Sequence, residues 1–439
     1  MNRVFWQSHP FGISVSIIIV LILTIYFGCS EEQPVVPPPP EPPKAVSLSL
    51  VDVSCTEAFI KVTAADSVLP LSISLTKDAS TIANFTLAKT DTVIVDTTLQ
   101  PNQTYTYQTI EEINGNEEKS DTLQVKSLKI TSNNFNWTTY TFGDPDGGSS
   151  SLRDIVIIND NNIWAVGEIY NDTTGVPYNA VHWDGSSWEL KKINYNGIPP
   201  IIHSIAVISK NDIWFDPWFH WDGQDIQQLP IDPILMGVVV NKMWGSSEGL
   251  YVVGNNGFVA FRNNDGMWDK IESGTTTDIN DIWGYYNPIS NQKSVLCVAS
   301  NILHQGEYRL LAISGGNAHD TLNWTYNDWL KGVWFKNQYS PIYICGSGVK
   351  KYKNNIWSEL NLPNYFTEAI RGSDYNNIFV VGDFGIAAHY NGVSWQTLNE
   401  LSGIGKFLGV SIKEDIVVLC GYNTSGGIVG SALIVVGNN

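Results

Sequence analysis

The sequence predicts an all-β protein in which a small β-sandwich precedes a seven-bladed β-propeller closed by an N-terminal strand. Three observations predict this fold class. Residues 45–129 alternate apolar and polar side chains over short runs, a strand pattern recurs seven times after residue 160, and no convincing helix is visible. The 439 residues are 43% hydrophobic and 12% aromatic, which is enough to bury a large core.

Residues 1–28 have the organisation of a secretion signal. Arg3 is followed by the apolar run Phe11–Phe27, and Gly28 stands directly before Cys29. A small residue followed by cysteine resembles the lipobox of bacterial lipoproteins. The resemblance implies that residues 1–28 are a lipoprotein signal peptide and that Cys29 is the lipidation site. An uncleaved transmembrane anchor is the alternative, since about 17 apolar residues nearly span a bilayer.

Residues 29–44 are predicted to be the lipidated cysteine and a proline-rich tether. The segment Pro34–Pro43 is expected to be an extended polyproline segment. The run Ser30–Glu32 resembles the surface-export signals of some Gram-negative lipoproteins. That resemblance implies an outer-membrane lipoprotein exposed at the cell surface, with a periplasm-facing orientation as the alternative.

Residues 45–129 are predicted to form the small sandwich. Within them, the segment Leu99–Tyr107 resembles the Leu-x-Pro-x-x-x-Tyr segment of fibronectin type III domains. The resemblance implies a tyrosine corner closed by the hydroxyl of Tyr105. Phe59 stands where that family usually places a core tryptophan. Such modules are mostly spacers, and we expect no chemistry from this one.

Residues 130–439 are predicted to form the propeller. A short strand, usually ending in glycine, begins at positions separated by 36 to 50 residues, the spacing of four-stranded blades. The seven copies are Ile163–Gly167, Ile213–Pro217, Leu250–Gly254, Val295–Ala299, Ile342–Gly346, Ile378–Gly382 and Val417–Gly421. The last unit lacks a fourth strand, so we expect Asn136–Phe142 to complete it.

Tight Asp-Gly and Asn-Gly turns join the third and fourth strands of several repeats, as at Asp184–Gly185 and Asn391–Gly392. They resemble the Asp-box hairpins of sialidase-like propellers, which are structural turns. The complete arrangement resembles bacterial surface proteins of unassigned role, and chains of this kind are sometimes labelled glucosyltransferases. An Asp-x-Asp pattern of the kind found in glucosyltransferase metal sites occurs at Asp144–Asp146. It lies in a predicted loop, where a solvated turn is the better interpretation, so it does not support an enzyme.

Composition excludes several function classes. The net charge is −18, whereas nucleic-acid binding requires a cationic surface. The histidines are scattered without metal-ligand spacing, so we predict no metal, no cofactor and no catalytic residue. We expect a monomer whose partners are a membrane, through the lipid anchor, and a glycan or an envelope protein.

Aromatic residues suggest where that ligand binds. Trp218 and Trp329 fall outside the repeated tryptophan positions, in two loop classes that open on the same face of a propeller. Further candidates on this face are Tyr170, Tyr195, His304, Tyr365 and Tyr422. We therefore predict a binding or scaffold module. A carbohydrate-active enzyme on the same face is the alternative, and two carboxylates roughly 5 to 10 Å apart would favour it.

Overall fold

The computed structural model describes residues 44–144, 148–171, 174–301, 307–363, 365–425 and 428–439. The predicted signal peptide, Cys29 and the proline-rich tether lie outside the described residues. Residues 44–439 form one compact unit. Within the described residues, no helix is long and apolar enough to cross a membrane.

The N-terminal part is a sandwich of a three-stranded and a five-stranded sheet. Its strands are β1 (Val46–Val53), β2 (Ala58–Ala64), β3 (Leu71–Lys77), β4 (Ser80–Leu87), β5 (Asp91–Asp96), β6 (Thr104–Ile113), β7 (Asn116–Lys119) and β8 (Leu123–Lys126). The orders are β1-β2-β5 and β4-β3-β6-β7, with β8 paired to β6. The hydrogen bond expected of a tyrosine corner is present, because the backbone N–H of Gln100 donates to Tyr105 Oη at 2.7 Å.

Seven four-stranded antiparallel sheets follow, which confirms the propeller. Blades 1 to 3 are β10 (Ser151–Asn159), β11 (Asn162–Ile169), β12 (Tyr178–Trp183), β13 (Trp188–Lys191); β14 (Ile205–Ser209), β15 (Asp212–Phe215), β16 (Phe219–Trp221), β17 (Ile226–Gln228); β18 (Val240–Ser246), β19 (Gly249–Gly254), β20 (Val259–Asn263), β21 (Trp268–Lys270).

Blades 4 to 6 are β22 (Ile279–Asn287), β23 (Gln292–Ser300), β24 (Tyr308–Ser314), β25 (Asn317–Asp320); β26 (Leu330–Trp334), β27 (Ile342–Gly346), β28 (Gly348–Lys353), β29 (Ile356–Glu359); β30 (Thr367–Asp374), β31 (Asn377–Gly382), β32 (Ala387–Tyr390), β33 (Trp395–Thr397). Four short 3-10 turns accompany the strands, at Asp66–Val68, Pro233–Leu235, Asp383–Gly385 and Asn399–Leu401.

Blade 7 closes the ring as predicted. It contains β34 (Lys406–Lys413), β35 (Ile416–Ser425) and β36 (Ile428–Asn438), and its outer strand is β9 (Asn136–Phe142) from before blade 1. β36 and β9 pair from Ala432 and Phe142 to Asn438 and Asn136. This pairing removes the free sheet edge that an open ring would expose.

The turns are stabilised locally, as their sequences predict. The carboxylate of Asp184 accepts the backbone N–H groups of Ser186 and Ser187, each at 2.8 Å. These bonds, led by that of Ser187, lower the pKa of Asp184 to about 2. Gly185 adopts a φ of 97°, which an L side chain rarely tolerates, so glycine is required there.

The repeat glycine has a packing role at a bulge of the first strand. In six of the seven blades the first strand has one extra residue that faces no partner on the second strand, which is a β-bulge. The residue opposite the start of the bulge is the repeat glycine, except for Ala299 in blade 4. A Cβ at Gly346 would lie 1.9 Å from the carbonyl oxygen of Trp329. Glycine is therefore needed where the two backbones approach.

The sandwich docks against the propeller at blades 5 and 6. Phe59 lies with its ring centroid 6.0 Å from Tyr339 and 6.1 Å from Tyr375. Asp52 bonds Lys336 at 2.9 Å, and Glu57 pairs with Lys353. Sandwich and propeller thus share a packed, ion-paired interface, which explains why residues 44–439 behave as one unit.

The position of Phe59 differs from that of a core tryptophan in a type III domain. Its neighbours Ala58 and Ile60 point into the sandwich core. Since side chains alternate along a strand, Phe59 points outward, where the propeller buries it to 4% exposure.

Candidate functional site

The two faces of the propeller differ in what covers them. The sandwich contacts loops between the first and second strands and between the third and fourth strands of blades 5 and 6, such as those carrying Lys336 and Gly392. We call this side the docked face. The loops between blades, and between second and third strands, lie at the opposite ends of the strands, and we call that side the open face. All of the predicted ligand-binding residues that the structure describes belong to this second set of loops or to the strand ends beside them.

The centre of the open face is ringed by one residue from each blade. Six of these are the extra residues of the bulges, and the seventh, His203, precedes the first strand of blade 2. The ring consists of Arg153, His203, Asn241, Asn280, Lys331, Glu368 and Leu408. We call this depression of about 180 Å³ the channel mouth. Bulges turn a side chain out of the sheet, so the fold itself delivers these groups to the surface.

Below the mouth, two buried ion pairs join non-adjacent blades. Lys242 Nζ lies 2.5 Å from Asp154 Oδ1, and Arg371 contacts both oxygens of Asp281 at 2.7 and 2.9 Å. Burial opposes the charge on Arg371, but Asp281 raises the pKa of that guanidinium. Each carboxylate also accepts a backbone N–H from the following blade, at Ile205 and Val333 respectively. These pairs brace the inner strands under the channel mouth.

Beside the mouth lies a larger cavity of about 570 Å³, which we call the Trp329 pocket. It shares Asn280, Lys331 and Glu368 with the channel mouth, so the two depressions adjoin, and together we call them the groove. The remaining residues of the pocket are Asp278, Ser300, Asn301, Trp329, Phe366, Asp383 and Lys406. Trp329 meets Phe366 edge to face, with ring centroids 5.8 Å apart.

Trp329 stands at a backbone position that recurs between blades, although no tryptophan recurs there. Asp278, Trp329, Phe366 and Lys406 each stand two residues before the ring residue of their own blade. In blades 5 and 6 the carbonyls of Trp329 and Phe366 accept the N–H that follows the repeat glycine, at 2.9 and 3.0 Å. The backbone role recurs while the side chain changes, which is the pattern expected of a surface position free to serve binding.

An ion-pair cluster forms one wall of the pocket. Lys406 Nζ lies 2.5 Å from Glu368 Oε1 and 2.8 Å from Asp383 Oδ1. Burial alone would lower the pKa of Lys406. The charge of Glu368 and the bonds to both carboxylates outweigh burial, so the pKa is raised. Two oxygens at these distances from one nitrogen lie at most about 5.3 Å apart, which does not exceed the separation of about 5 to 5.5 Å in a retaining glycosidase pair. Here, however, a lysine lies between them and ion-pairs with both.

Next to the pocket, sequence analysis missed an exposed phenylalanine. Phe384 is 70% exposed and its ring centroid lies 5.8 Å from that of Tyr365, which is 48% exposed. Phe384 has a φ of 57°, a left-handed conformation that is costly for a bulky residue. Tyr365 and Phe366 are consecutive, so this loop extends the aromatic surface from the Trp329 pocket to Phe384.

Three other predicted site residues, Trp218, Tyr195 and Tyr422, do not line this groove. Trp218 is half-buried and packs against two hydrophobic clusters, one between blades 1 and 2 and one between blades 2 and 3. Tyr195 packs with the first of those clusters, edge-on to Phe219 at 6.2 Å. Tyr422 lies on β35, paired with Lys406. The structure therefore groups Trp329 and Tyr365, and places Trp218 and Tyr195 together elsewhere.

Two further predictions concern Tyr170 of blade 1 and His304, which falls in sequence between the second and third strands of blade 4. The Tyr170 hydroxyl lies 3.5 Å from Glu168, which in turn bonds Arg153 of the channel mouth at 2.8 Å. His304 lies outside the described residues. In the described part of the chain, no group of three or more histidine, cysteine or acidic residues could hold a metal ion. Of the Asp-x-Asp pattern, only Asp144 is described.

Comparisons with known proteins bear on the fold. No family model matches the chain, and no curated protein is similar to it. Among solved structures, the chain is similar to YCF48 bound to D1 peptide, with 15% identity and a TM-score of 0.52 over 71% of this chain and 100% of that one. It is also similar to BBS1N in complex with ARL6DN, with 12% identity and a TM-score of 0.44 over 69% and 96% of the two chains. The likeness to YCF48 supports the propeller fold.

Proposed function

We propose that the protein is a binding scaffold that holds an extended segment of a protein partner on the open face. The observation that carries this proposal is the groove formed by the adjoining channel mouth and Trp329 pocket, with the exposed rings of Tyr365 and Phe384 beside it. A groove with aromatic anchors and a polar wall suits a chain laid across it. YCF48, a protein of similar fold, was solved with a peptide bound, so a peptide is a ligand that such a fold can hold.

Exposed apolar residues support a protein rather than a small molecule. Phe384 and Tyr365 stand beside the pocket with most or half of their surface in solvent. Exposed aromatic residues at the rim of a groove are typical of protein contacts and are enriched among the residues that dominate binding energy. Phe384 retains this position in spite of its strained backbone, which is consistent with selection for function.

A glycan is the second candidate, because the Trp329 pocket combines aromatic rings with several planar polar groups. Catalysis on a glycan is less well supported. A glycosidase needs one carboxyl group of its pair to carry a proton, whereas Glu368 and Asp383 both ion-pair with Lys406. The pair is better suited to fixing the pocket wall than to transferring a proton.

We also propose that the protein acts in the bacterial cell envelope, tethered through lipidated Cys29 and the segment Pro34–Pro43. Replacing Cys29 with alanine should abolish labelling by a radioactive fatty acid and leave uncleaved precursor. Replacing Ser30 with alanine serves as the control and should leave labelling intact. Normal labelling of Cys29→Ala would contradict the lipoprotein assignment.

The binding proposal is tested with the full chain, purified in detergent and applied to two arrays. One array displays random 12-residue peptides and the other displays bacterial surface oligosaccharides. We expect a reproducible set of bound peptides. Trp329→Ala and Phe384→Ala should weaken their binding by about 5- to 30-fold, the range for an aromatic anchor worth 1 to 2 kcal/mol. Ile289→Ala is the control, since Ile289 is 97% exposed on the docked face.

The arrays separate the candidates. Binding to oligosaccharides alone, lost in Trp329→Ala, would replace the protein ligand with a glycan. Peptide binding that is equally strong in all three variants would place the site elsewhere and contradict the proposal.

A further inference from the structure

Lys331 occupies the junction of the groove. It is the extra residue of the bulge in blade 5, between Leu330 and Gly332. It lines both the channel mouth and the Trp329 pocket, and its side chain is 39% exposed. A ligand that runs from one depression to the other must therefore pass its ammonium group.

Lys331 differs from the other cations of the groove in how it is paired. Among the described residues there, Arg153, Lys242, Arg371 and Lys406 each contact a carboxylate oxygen at 2.5 to 2.9 Å. Within the described part of the chain, Lys331 Nζ pairs with Glu368 Oε2 at 3.6 Å, and the other oxygen of Glu368 bonds Lys406. The ammonium of Lys331 thus has donors to offer a ligand, whereas the other cations are already bonded to carboxylates.

The interface between the sandwich and the propeller shows which side chains pair with a lysine beside aromatic rings in this molecule. On the docked face, the sandwich presents two acidic residues beside an aromatic one, namely Asp52, Glu57 and Phe59. They meet lysines and tyrosines of the same two blades, namely Lys336, Lys353, Tyr339 and Tyr375. The open face of those blades also places a lysine, Lys331, in one pocket with the aromatic rings of Trp329 and Phe366. The carboxylates of Glu368 and Asp383 in that pocket both pair with Lys406.

We infer that the partner segment carries an acidic side chain next to an aromatic or large apolar one, with the acid on Lys331 and the apolar group in the Trp329 pocket. This inference rests on the proposed function and specifies its ligand. An acidic polypeptide is favoured over an acidic glycan, because the docked face shows this combination of groups in a polypeptide. Overall repulsion by a chain of charge −18 is screened beyond about 8 Å at physiological salt, so the local pairing decides.

The test uses the random peptide array with the full chain in detergent, and compares the residue composition of the bound peptides. For the unchanged chain, bound peptides should be enriched at least about five-fold in Asp or Glu adjacent to Phe, Tyr, Trp or Leu. Lys331→Gln should abolish the acidic enrichment, and Lys331→Glu should replace it with Lys or Arg. Lys210→Glu, the same charge change at an exposed residue of the docked face, should leave the enrichment intact.

The possible results distinguish failure of the acidic-segment inference from failure of the proposed binding function. Peptides that depend on Trp329 but show no acidic enrichment would overturn this inference and leave the proposed function standing. An unchanged acidic enrichment in Lys331→Glu would also overturn it. Failure to bind any peptide would contradict the proposed function itself, and retention of acidic oligosaccharides only would assign the anion to a glycan. Far-ultraviolet circular dichroism and thermal unfolding confirm that each variant is folded.

Discussion

The docked and open faces of blades 5 and 6 both carry aromatic residues and lysines, but these are covered by the sandwich on the docked face and exposed to solvent on the open face. On the docked face, the rings of Tyr339 and Tyr375 are covered by Phe59, and Lys336 is bonded to Asp52 and Asp374 at 2.9 Å each. On the open face, Phe384 and Tyr365 remain in solvent, and Lys331 makes a longer ion pair, with Glu368 at 3.6 Å. The difference indicates that aromatic residues and lysines on one face are structural, while those on the other are available to a partner.

The largest effect is expected from Phe59→Ala, which removes the aromatic centre of the docked interface. Loss of a large buried side chain should lower the free energy of unfolding by about 3 to 5 kcal/mol, measured by urea denaturation. Phe384→Ala, the exposed counterpart, should lower it by less than about 0.5 kcal/mol. Equal effects of the two changes would contradict the distinction between the faces.

The same variant should expose Cys55, which is buried where the sandwich meets the propeller. Burial raises the pKa of this thiol to about 11, and its Sγ lies 3.3 Å from the carbonyl oxygen of Lys129. Peptide mapping after maleimide treatment should show slow labelling of Cys55 in the unchanged chain and faster labelling in Phe59→Ala. Cys297, buried within blade 4, is the internal control and should stay protected in both.

The second prediction concerns acid stability at the docked face. His389 is fully buried, stacks on Phe379 at 4.4 Å and lies 2.7 Å from Asn133 of the segment leading to β9. Burial lowers its pKa to about 4. His389 therefore takes up a proton more readily in the unfolded chain than in the folded one. Its contribution to the free energy of unfolding is fully present above pH 6.5 and declines as the pH falls from 6.5 to 4.

Between those pH values, His389 should account for a loss of about 1 to 3 kcal/mol. His389→Gln should flatten this part of the stability profile, measured by urea denaturation at each pH. His319→Gln, at an exposed histidine, should leave the profile unchanged. A profile that keeps its slope in His389→Gln would show that other groups govern the acid sensitivity.

The smallest predicted effect is the difference in unfolding free energy between alanine variants of Trp218 and Trp329, the two tryptophans that the sequence places in loops. Trp218→Ala should cost about 1 to 3 kcal/mol, because the side chain packs into the clusters of two blades. Trp329→Ala should cost less, since among the aromatic rings of the described residues it packs only against that of Phe366. Thermal unfolding of the two variants ranks them, and the reverse order would assign Trp329 to packing rather than to binding.

Much of the fold follows from local sequence patterns. The seven repeat strands, the Asp-Gly turns and the closure of blade 7 by Asn136–Phe142 are predictable because each depends on short-range periodicity or turn chemistry. The docking of the sandwich is not predictable in this way. The partners Asp52 and Lys336 are 284 residues apart, and nothing in either segment identifies the other.

The candidate site was only partly predictable, for a physical reason. Trp329 and Tyr365 lie in loops whose face could be inferred from strand order. Lys331 and Glu368 were missed because their exposure depends on bulges, which shift the alternation of side chains. The repeat glycine was the available signal, since glycine within a strand often marks a bulge or a close backbone approach. The left-handed backbone of Phe384 has no such signal.

The most direct test of the central claim is site-specific crosslinking in living cells. A photoreactive phenylalanine analogue is placed at Phe384 on the open face, at Ile289 on the docked face, or at Phe384 in a chain that also carries Trp329→Ala. We predict a discrete protein adduct from Phe384 that is absent from Ile289 and at least five-fold weaker with Trp329→Ala. Adducts of equal yield at Phe384 and Ile289, or an adduct unaffected by Trp329→Ala, would contradict the claim that the groove of the open face binds a protein partner.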